Sequence, residues 1–422
     1  MPKVVLPIAN GFYESDSLPI SAQECVNFYP NIAQAPALNQ ETLYGTAGLE
    51  EVANANSLTG NRGAHEMNGV PYFVVDEKLY SMAADYTLTF IGNIAGASRV
   101  SMADNGTQML ILVPSGNGYI YNHVTDTFSQ ITDSDFTANG NPQLVVYIDG
   151  YFCLTTDSKK FIGGSQTIEA FQNIGGADFP FQRTGLFLQK GIVSPFSIQT
   201  LQDTFVFIGA GQNESPAIWT LQGNDVAKIS TTAIDKELSA LTSSQIASIY
   251  SWGYSEKGAY FVGFTLPSAT FVYDIISKRW HERRSVVDNT LGAYRVASLV
   301  KAYNKIWAGD LVDGTEIRRS IVTQPFQNNM ESFVIPEIEL TVESGVGNAD
   351  VPNPQIGMAR SRNAKTWSDT RFRSIGKVGE YNHRAIWRRN GRAARFELFR
   401  FTMSDAVKPV IIQMTADIEG IQ

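Results

Sequence analysis

Between about residues 60 and 325 the chain repeats one pattern six times: a polar turn, an apolar strand, then a second aromatic strand some ten residues on. The first unit is Met67-Asn68-Gly69, Tyr72-Phe73-Val74-Val75 and Lys78-Leu79-Tyr80; the second is Asp104-Asn105-Gly106, Met109–Val113 and Gly118-Tyr119-Ile120-Tyr121. The third is Ile148-Asp149-Gly150, Tyr151-Phe152-Cys153-Leu154 and Lys160-Phe161-Ile162; the fourth is Leu201-Gln202-Asp203, Phe205-Val206-Phe207-Ile208 and Ala217-Ile218-Trp219. The fifth is Ser255-Glu256-Lys257-Gly258, Tyr260-Phe261-Val262 and Thr270-Phe271-Val272-Tyr273; the sixth is Ala302-Tyr303-Asn304, Lys305-Ile306-Trp307-Ala308 and Thr315-Glu316-Ile317. The markers Gly69, Gly106, Gly150, Asp203, Lys257 and Asn304 stand 37, 44, 53, 54 and 47 residues apart. Units of roughly 40–50 residues with several short strands each have the pattern of β-propeller blades. One blade cannot bury both faces of its sheet, so six in a ring make physical sense and six in a row do not. A long β-sandwich or a β-solenoid is the competing arrangement.

The flanks are of another kind. Residues 1–60 carry Pro7, Pro19, Pro30 and Pro36 and few strong strand runs, which predicts an extended arm lying on other structure. Beyond Pro325, Phe333–Val342 alternates like a strand, Gly345–Pro354 reads as a loop, and strands follow to Pro409–Met414. Helical periodicity is confined to Thr231–Tyr250, where Ile234, Leu238, Leu241 and Ile249 share a face and Thr232 and Asp235 have capping-box spacing. The prediction is an all-β fold: an N-terminal arm over 1–60, a six-bladed β-propeller over 61–325, and a C-terminal β domain over 326–422. Part of the arm is expected to dock on residues 330–422 as a platform.

Composition removes several classes. Cys25 and Cys153 cannot form a disulfide framework, and the N-terminus, cut by Pro2 and Pro7, lacks the apolar core of a signal peptide. Apolar runs such as Met109–Val113 are far short of the roughly 18 residues of a membrane span. These features predict folding in a reducing cytosol. The net charge is −8, yet Ile356–Phe401 holds 12 Lys/Arg against 3 Asp/Glu, a local +9 that leaves −17 for the rest. An acidic body with one basic segment argues against a general nucleic-acid binder and for a localised basic surface.

Catalytic signatures are absent. His65, His123, His281 and His383 lie 58 or more residues apart, without metal-ligand spacing. There is no G-x-S-x-G elbow, phosphate-binding loop or C-x-x-C pair. Neither cofactor nor metal is expected. Ser361-Arg362-Asn363-Ala364-Lys365-Thr366-Trp367 resembles a sialidase Asp-box, but Asn replaces Asp and the Gly is missing. A propeller enzyme or glycan-binding module acting on surface polysaccharide is the alternative function.

The sharpest local feature is Arg384-Ala385-Ile386-Trp387-Arg388-Arg389-Asn390-Gly391-Arg392-Ala393-Ala394-Arg395. Asn390-Gly391 predicts a hairpin turn, which sets Ile386 and Arg388 opposite Trp387 and Arg389. Arginine forks suit carboxylate or phosphate. Arg384, Trp387, Arg388, Arg389, Arg392 and Arg395 are therefore the candidate interface for an acidic partner subunit. A charged strand edge that resists aggregation, or contact with DNA, would use the same residues.

Further segments carry a resemblance. These are Asn27-Phe28-Tyr29-Pro30, Gly45-Thr46-Ala47-Gly48-Leu49, Ile148-Asp149-Gly150-Tyr151-Phe152 and Tyr273-Asp274 with Arg279-Trp280-His281-Glu282-Arg283. Thr366-Trp367-Ser368-Asp369, Arg373–Tyr381, Arg384–Arg389 with Arg395, and Ser404-Asp405 complete the set. Together they resemble the packaged-DNA stabilisation, or tail hub and nozzle, proteins of short-tailed bacteriophages. The chain departs from that pattern at Arg362-Asn363-Ala364-Lys365, where an Asp/Gly-rich turn is common. The resemblance implies a structural virion protein made in the bacterial cytoplasm, without catalysis. It also implies a homo-hexameric ring below the portal and its adaptor ring, closing the channel over DNA held without sequence specificity. Tail spikes or fibres are the remaining implied partners.

Overall fold

The structure, a computed structural model, describes residues 3–8, 10–56, 60–114, 116–138, 140–148, 150–156, 167–175, 181–201, 204–287, 290–310 and 317–420. Asp149, Lys160-Phe161-Ile162, Gln202-Asp203 and Thr315-Glu316 of the repeat units lie outside these residues.

The repeats fold as antiparallel sheets. Asn61–Met67, Val70–Val75, Lys78–Met82 and Leu88–Asn93 form one four-stranded meander, and Ser101–Asp104 through Thr127–Gln130 form the next. A larger sheet is built on Thr204–Ala210, and Tyr250–Glu256 through Arg279–Glu282 make four further consecutive strands. Among the described residues, the third and last stretches each hold two two-stranded sheets. The turns explain the markers. Asn68-Gly69, Lys257-Gly258 and Tyr303-Asn304 all have positive φ at both positions, the geometry that matches a two-residue hairpin to strand twist.

The ring closes on itself. Asn61–Met67 touches Ser101–Asp104 on one side and Val296–Ala302, from the last hairpin, on the other. Ser298 Oγ donates to Asn61 Oδ1 at 2.6 Å, and Phe73, Met82, Val300, Ala302 and Trp307 share one apolar cluster. Arg99, just ahead of Ser101–Asp104, donates to the Ala297 carbonyl at 2.5 Å and lies 4.1 Å over the Tyr250 ring and 5.7 Å from Phe196. Phe196, Tyr250 and Ala297 belong to three different later units. One guanidinium thus ties four units together.

The helix is Thr232–Ser239, with Ile234 and Leu238 buried as the periodicity required. Its N-cap is Thr231, and Thr232 lies within the helix. The capping box is formed instead by Thr242 and Gln245, ahead of Ser243–Ala247. Asp235 is occupied elsewhere, accepting from Ser230 Oγ at 2.6 Å and pairing with Lys228.

The C-terminal region is a two-sheet sandwich. One sheet runs Ala385–Arg388, Glu337–Val342, Val410–Ala416, Glu41–Gly45, Phe28–Ile32, with Val4–Leu6 also on Val410–Ala416. The other runs Arg371–Ser374, Gln355–Ser361, Phe396–Met403, Arg319–Val322, Ala22–Val26 and continues into Arg279–Glu282 of the propeller. Ile338, Leu340, Trp387, Ile411 and Met414 face Cys25, Ile321, Met358, Phe399 and Phe401 across the core. The arm therefore completes both sheets. Two boundaries move. Arg319–Val322 pairs with Phe396–Met403, so the sandwich begins before residue 325. The run Phe333–Val342 is split at Pro336, which has no N–H to donate, into strands of different sheets.

Candidate assembly interface on the sandwich

The strand Glu337–Val342 alternates: Ile338, Leu340 and Val342 point inward, leaving Glu337 and Glu339 on the outer face. Its neighbour Ala385–Arg388 is in register, with Glu337 opposite Arg388 and Glu339 opposite Ile386. Arg384 grips Glu339 with two bonds of 2.6 Å, and Arg388 Nε reaches Glu337 at 2.9 Å. Lys3 of the arm sits between the two carboxylates, 2.9 Å from Glu337 and 2.5 Å from Glu339. The result is an alternating chain of five charges. Bonds from Arg384 hold the Glu339 carboxyl down to about 2, and those from Lys3 lower Glu337.

Trp387 is not part of the surface. It is fully buried, its ring meets Phe401 at 5.6 Å, and its Nε1 donates to the Arg371 carbonyl at 2.7 Å. Ile386 and Arg388 do face away from it, since alternate residues of a strand must. The predicted hairpin is absent, however. Ala385–Arg388 pairs with Glu337–Val342, while Arg392–Ala393 pairs with Phe333–Val334 in another sheet. The turn at Arg389-Asn390-Gly391 hands the chain from one sheet to another, with Arg389 and Gly391 at positive φ. Asn390 is buried there, donating to the Trp387 carbonyl at 2.9 Å and accepting from Arg371.

Around that turn further arginines gather. The free edge of Ala385–Arg388 is capped by side chains: Arg373 Nε donates to the Ile386 carbonyl and Arg371 to the Arg388 carbonyl, both at 2.9 Å. This protects an edge strand from pairing with another chain. Arg362 donates to the Arg392 carbonyl at 2.6 Å, and the Arg360 guanidinium lies beside Gly391. Burial and the neighbouring charges of Arg373 and Arg360 all lower the Arg371 pKa. Beneath them lies Glu397, fully buried, 3.5 Å from Arg360 and 3.7 Å from Arg362, with burial pushing its pKa up to about 6. Arg392 reaches Ser332 Oγ at 2.9 Å. The exposed side chains of Arg389 and Arg395 have no hydrogen-bond or ion-pair partner among the described residues.

Sequence reasoning thus placed the basic surface but assigned its members imperfectly. Arg384 and Arg388 are answered within the subunit, whereas Arg389, Arg392 and Arg395 remain available. Arg360, Arg362 and Arg371, which join the patch, were not among the candidates, and in the sequence they contributed to it only as part of the charge excess. The Asp-box-like turn is a local device: Asn363 Oδ1 accepts the N–H groups of Lys365 at 2.9 Å and Thr366 at 2.8 Å, and Arg400 lies 3.9 Å over Trp367.

The sequence profile described as "Bacteriophage P22 Gp10, beta-propeller" matches residues 4–163 and 161–315, and the one described as "Bacteriophage P22 Gp10, beta-sandwich" matches 318–419. The chain belongs to the phage P22 Gp10 family. Members are structural proteins of the phage tail, which makes this Gp10-family chain a virion component. The two profiles meet between residues 315 and 318, just ahead of the sandwich strand Arg319–Val322 of this Gp10-family chain. No curated protein matches the sequence. Similar solved structures include an exo-β-1,3-galactanase from Phanerochaete chrysosporium, at 9% identity and a TM-score of 0.31, covering 89% of this chain and 99% of that one. PorZ of Porphyromonas gingivalis has 8% identity, a TM-score of 0.36, and coverage of 67% and 44%. The Neurospora crassa Pan2 WD40 domain has 10% identity, a TM-score of 0.29, and coverage of 60% and 72%. Likeness of that degree transfers no function. No helix among the described residues is long and apolar enough to cross a membrane.

Proposed function

We propose that this chain is a tail hub or nozzle subunit, acting without catalysis. Six copies form a ring below the portal-adaptor ring, close the DNA channel after packaging, carry tail spikes or fibres, and open for ejection. The single observation behind the assembly surface is the Arg388–Arg395 turn. Arginines converge there around one buried carboxylate, leaving positive charge for an acidic neighbour or adaptor to neutralise. The tie that Arg99 makes among four units of one propeller supports a channel between copies rather than through one propeller. A ring of identical subunits needs heterologous contacts that close by rotation. We take the propeller to have six blades, one for each turn–strand–strand unit.

The test is the mass of the purified protein in solution, alone and with its adaptor ring, for wild type and for a variant with Arg389, Arg392 and Arg395 replaced by alanine. Hexamers from the wild type, and weakened or strongly salt-sensitive assembly in the variant, are expected. A wild type that stays monomeric in both settings sinks the reading.

A further inference from the structure

Where arm, propeller and sandwich meet, they enclose a cavity of about 560 Å³. Its walls are the arm loop 46–49, the propeller residues 284–286 with Tyr294 and Arg295, and the sandwich loop 404–408. Four cations line it, and three are answered. Arg284 pairs with Glu282 at 2.6 Å, Arg295 with Asp310 at 2.5 Å, and Lys408 with Glu256 at 3.2 Å.

Arg319 is the exception. It is only 5% exposed, and among the described residues no carboxylate contacts it. One terminal nitrogen donates to the Asp405 carbonyl and the other to the Thr46 carbonyl, each at 3.2 Å, and Nε has no partner. A guanidinium has five N–H donors, so most of this group's capacity is unmet in a place where unpaired charge is expensive. Burial lowers its pKa to about 10, which still leaves it charged at neutral pH. Asp405 does not serve as counter-ion through its carboxylate, which accepts the Gln355 N–H at 2.6 Å. A second cavity also borders Arg319, but its walls set Glu14, Glu24 and Glu282 against Arg284, Arg318, Arg319 and Arg400, so its charges nearly balance. The first cavity has one carboxylate against four cations.

We propose that the cavity at this three-way junction binds a small oxyanion, phosphate or carboxylate, paired with Arg319. An anion there would join the arm, the last stretch of the propeller and the sandwich through one charge. This site is independent of the assembly surface.

The experiment is thermal unfolding of the full chain in increasing inorganic phosphate or acetate, against sodium chloride at equal ionic strength. At least one oxyanion is expected to raise Tm by a few degrees along a saturating curve that chloride does not reproduce. Arg319→Gln should abolish the increment and Arg319→Lys should keep part of it. Equal, non-saturating rises in oxyanion and chloride would mean an unspecific salt effect and overturn the proposal. So would an undiminished increment in R319Q. If R319Q does not fold, titration calorimetry of the wild type decides: saturable heat with either oxyanion supports the site, and its absence with both overturns it.

Discussion

The carboxamide of Asn27 and the backbone of Arg284, 257 residues apart, bond in both directions: Oδ1 accepts the Arg284 N–H at 3.0 Å and Nδ2 donates to its carbonyl at 2.9 Å. The same Nδ2 donates to the Arg318 carbonyl at 2.7 Å, and the Asn27 N–H reaches the Glu282 carbonyl at 2.9 Å. One buried side chain therefore joins arm, propeller and the start of the sandwich. It does so at φ +56°, a conformation that asparagine tolerates better than most residues.

Asn27→Ala should cost about 3 kcal/mol, from buried groups left unpaired and from strain in the left-handed region. Asn27→Gly relieves the strain and still loses the bonds, so it should fall between wild type and N27A. Denaturant midpoints measure both. A near-neutral N27A would show that the junction is held elsewhere.

The Lys3–Glu337–Glu339 network should make the arm sensitive to acid. Glu339 titrates near 2 in the fold against an ordinary 4.5, so its contribution is complete above pH 4.5 and is lost as pH falls toward 2. Partly exposed pairs are worth roughly 0–1 kcal/mol each, and Lys3→Ala or Glu339→Gln should cost that much at pH 7. Hydrogen exchange in Val4–Leu6 is the readout: it should quicken in both variants, and in the wild type below about pH 4.

Two buried carboxylates work in the opposite sense. Burial pushes Glu282 up to about 7 and Glu397 up to about 6, both above 4.5. Their protonated forms suit the fold, so this stability is present below pH 4.5 and is lost as pH rises through 6 to 7. At 1.36 kcal/mol per unit, Glu282 sets an upper limit of about 3 kcal/mol. Glu397→Gln should flatten the pH dependence of Tm between 4.5 and 6, and Glu282→Gln should flatten it up to 7. Unchanged slopes in both variants would refute the assignment.

Trp387 and its arginine neighbours should separate cleanly. Trp387→Ala opens a hole against Phe401 and should cost about 3–5 kcal/mol, unfolding the sandwich before assembly can be assayed. Arg389→Ala with Arg395→Ala should change stability by less than about 0.5 kcal/mol, because nothing among the described residues answers those side chains. Calorimetry on the two variants checks the pair. A stable W387A would return the tryptophan to the surface.

The repeat of turn, strand and aromatic strand by itself determined the all-β class, because alternating apolar residues and paired turn residues act over a few positions. Asn68-Gly69 and Lys257-Gly258 became the turns their chemistry demands. The arginine segment was likewise evident as a charge excess, since charge adds up along a chain without reference to the fold.

Which of those charges remain free was a tertiary decision. Glu339 lies 45 residues from Arg384, and Lys3 lies 336 from Glu339, so only the pairing of Glu337–Val342 with its two neighbours brings them together. The same holds for Asn390-Gly391. A two-residue turn specifies a change of direction, but the sheet waiting on the far side depends on where Phe333–Val334 has been placed. Trp387 looked like a contact residue among arginines because a strand shows its two faces alternately in sequence. Only the opposing sheet, with Phe401 at its centre, decides which face is the core.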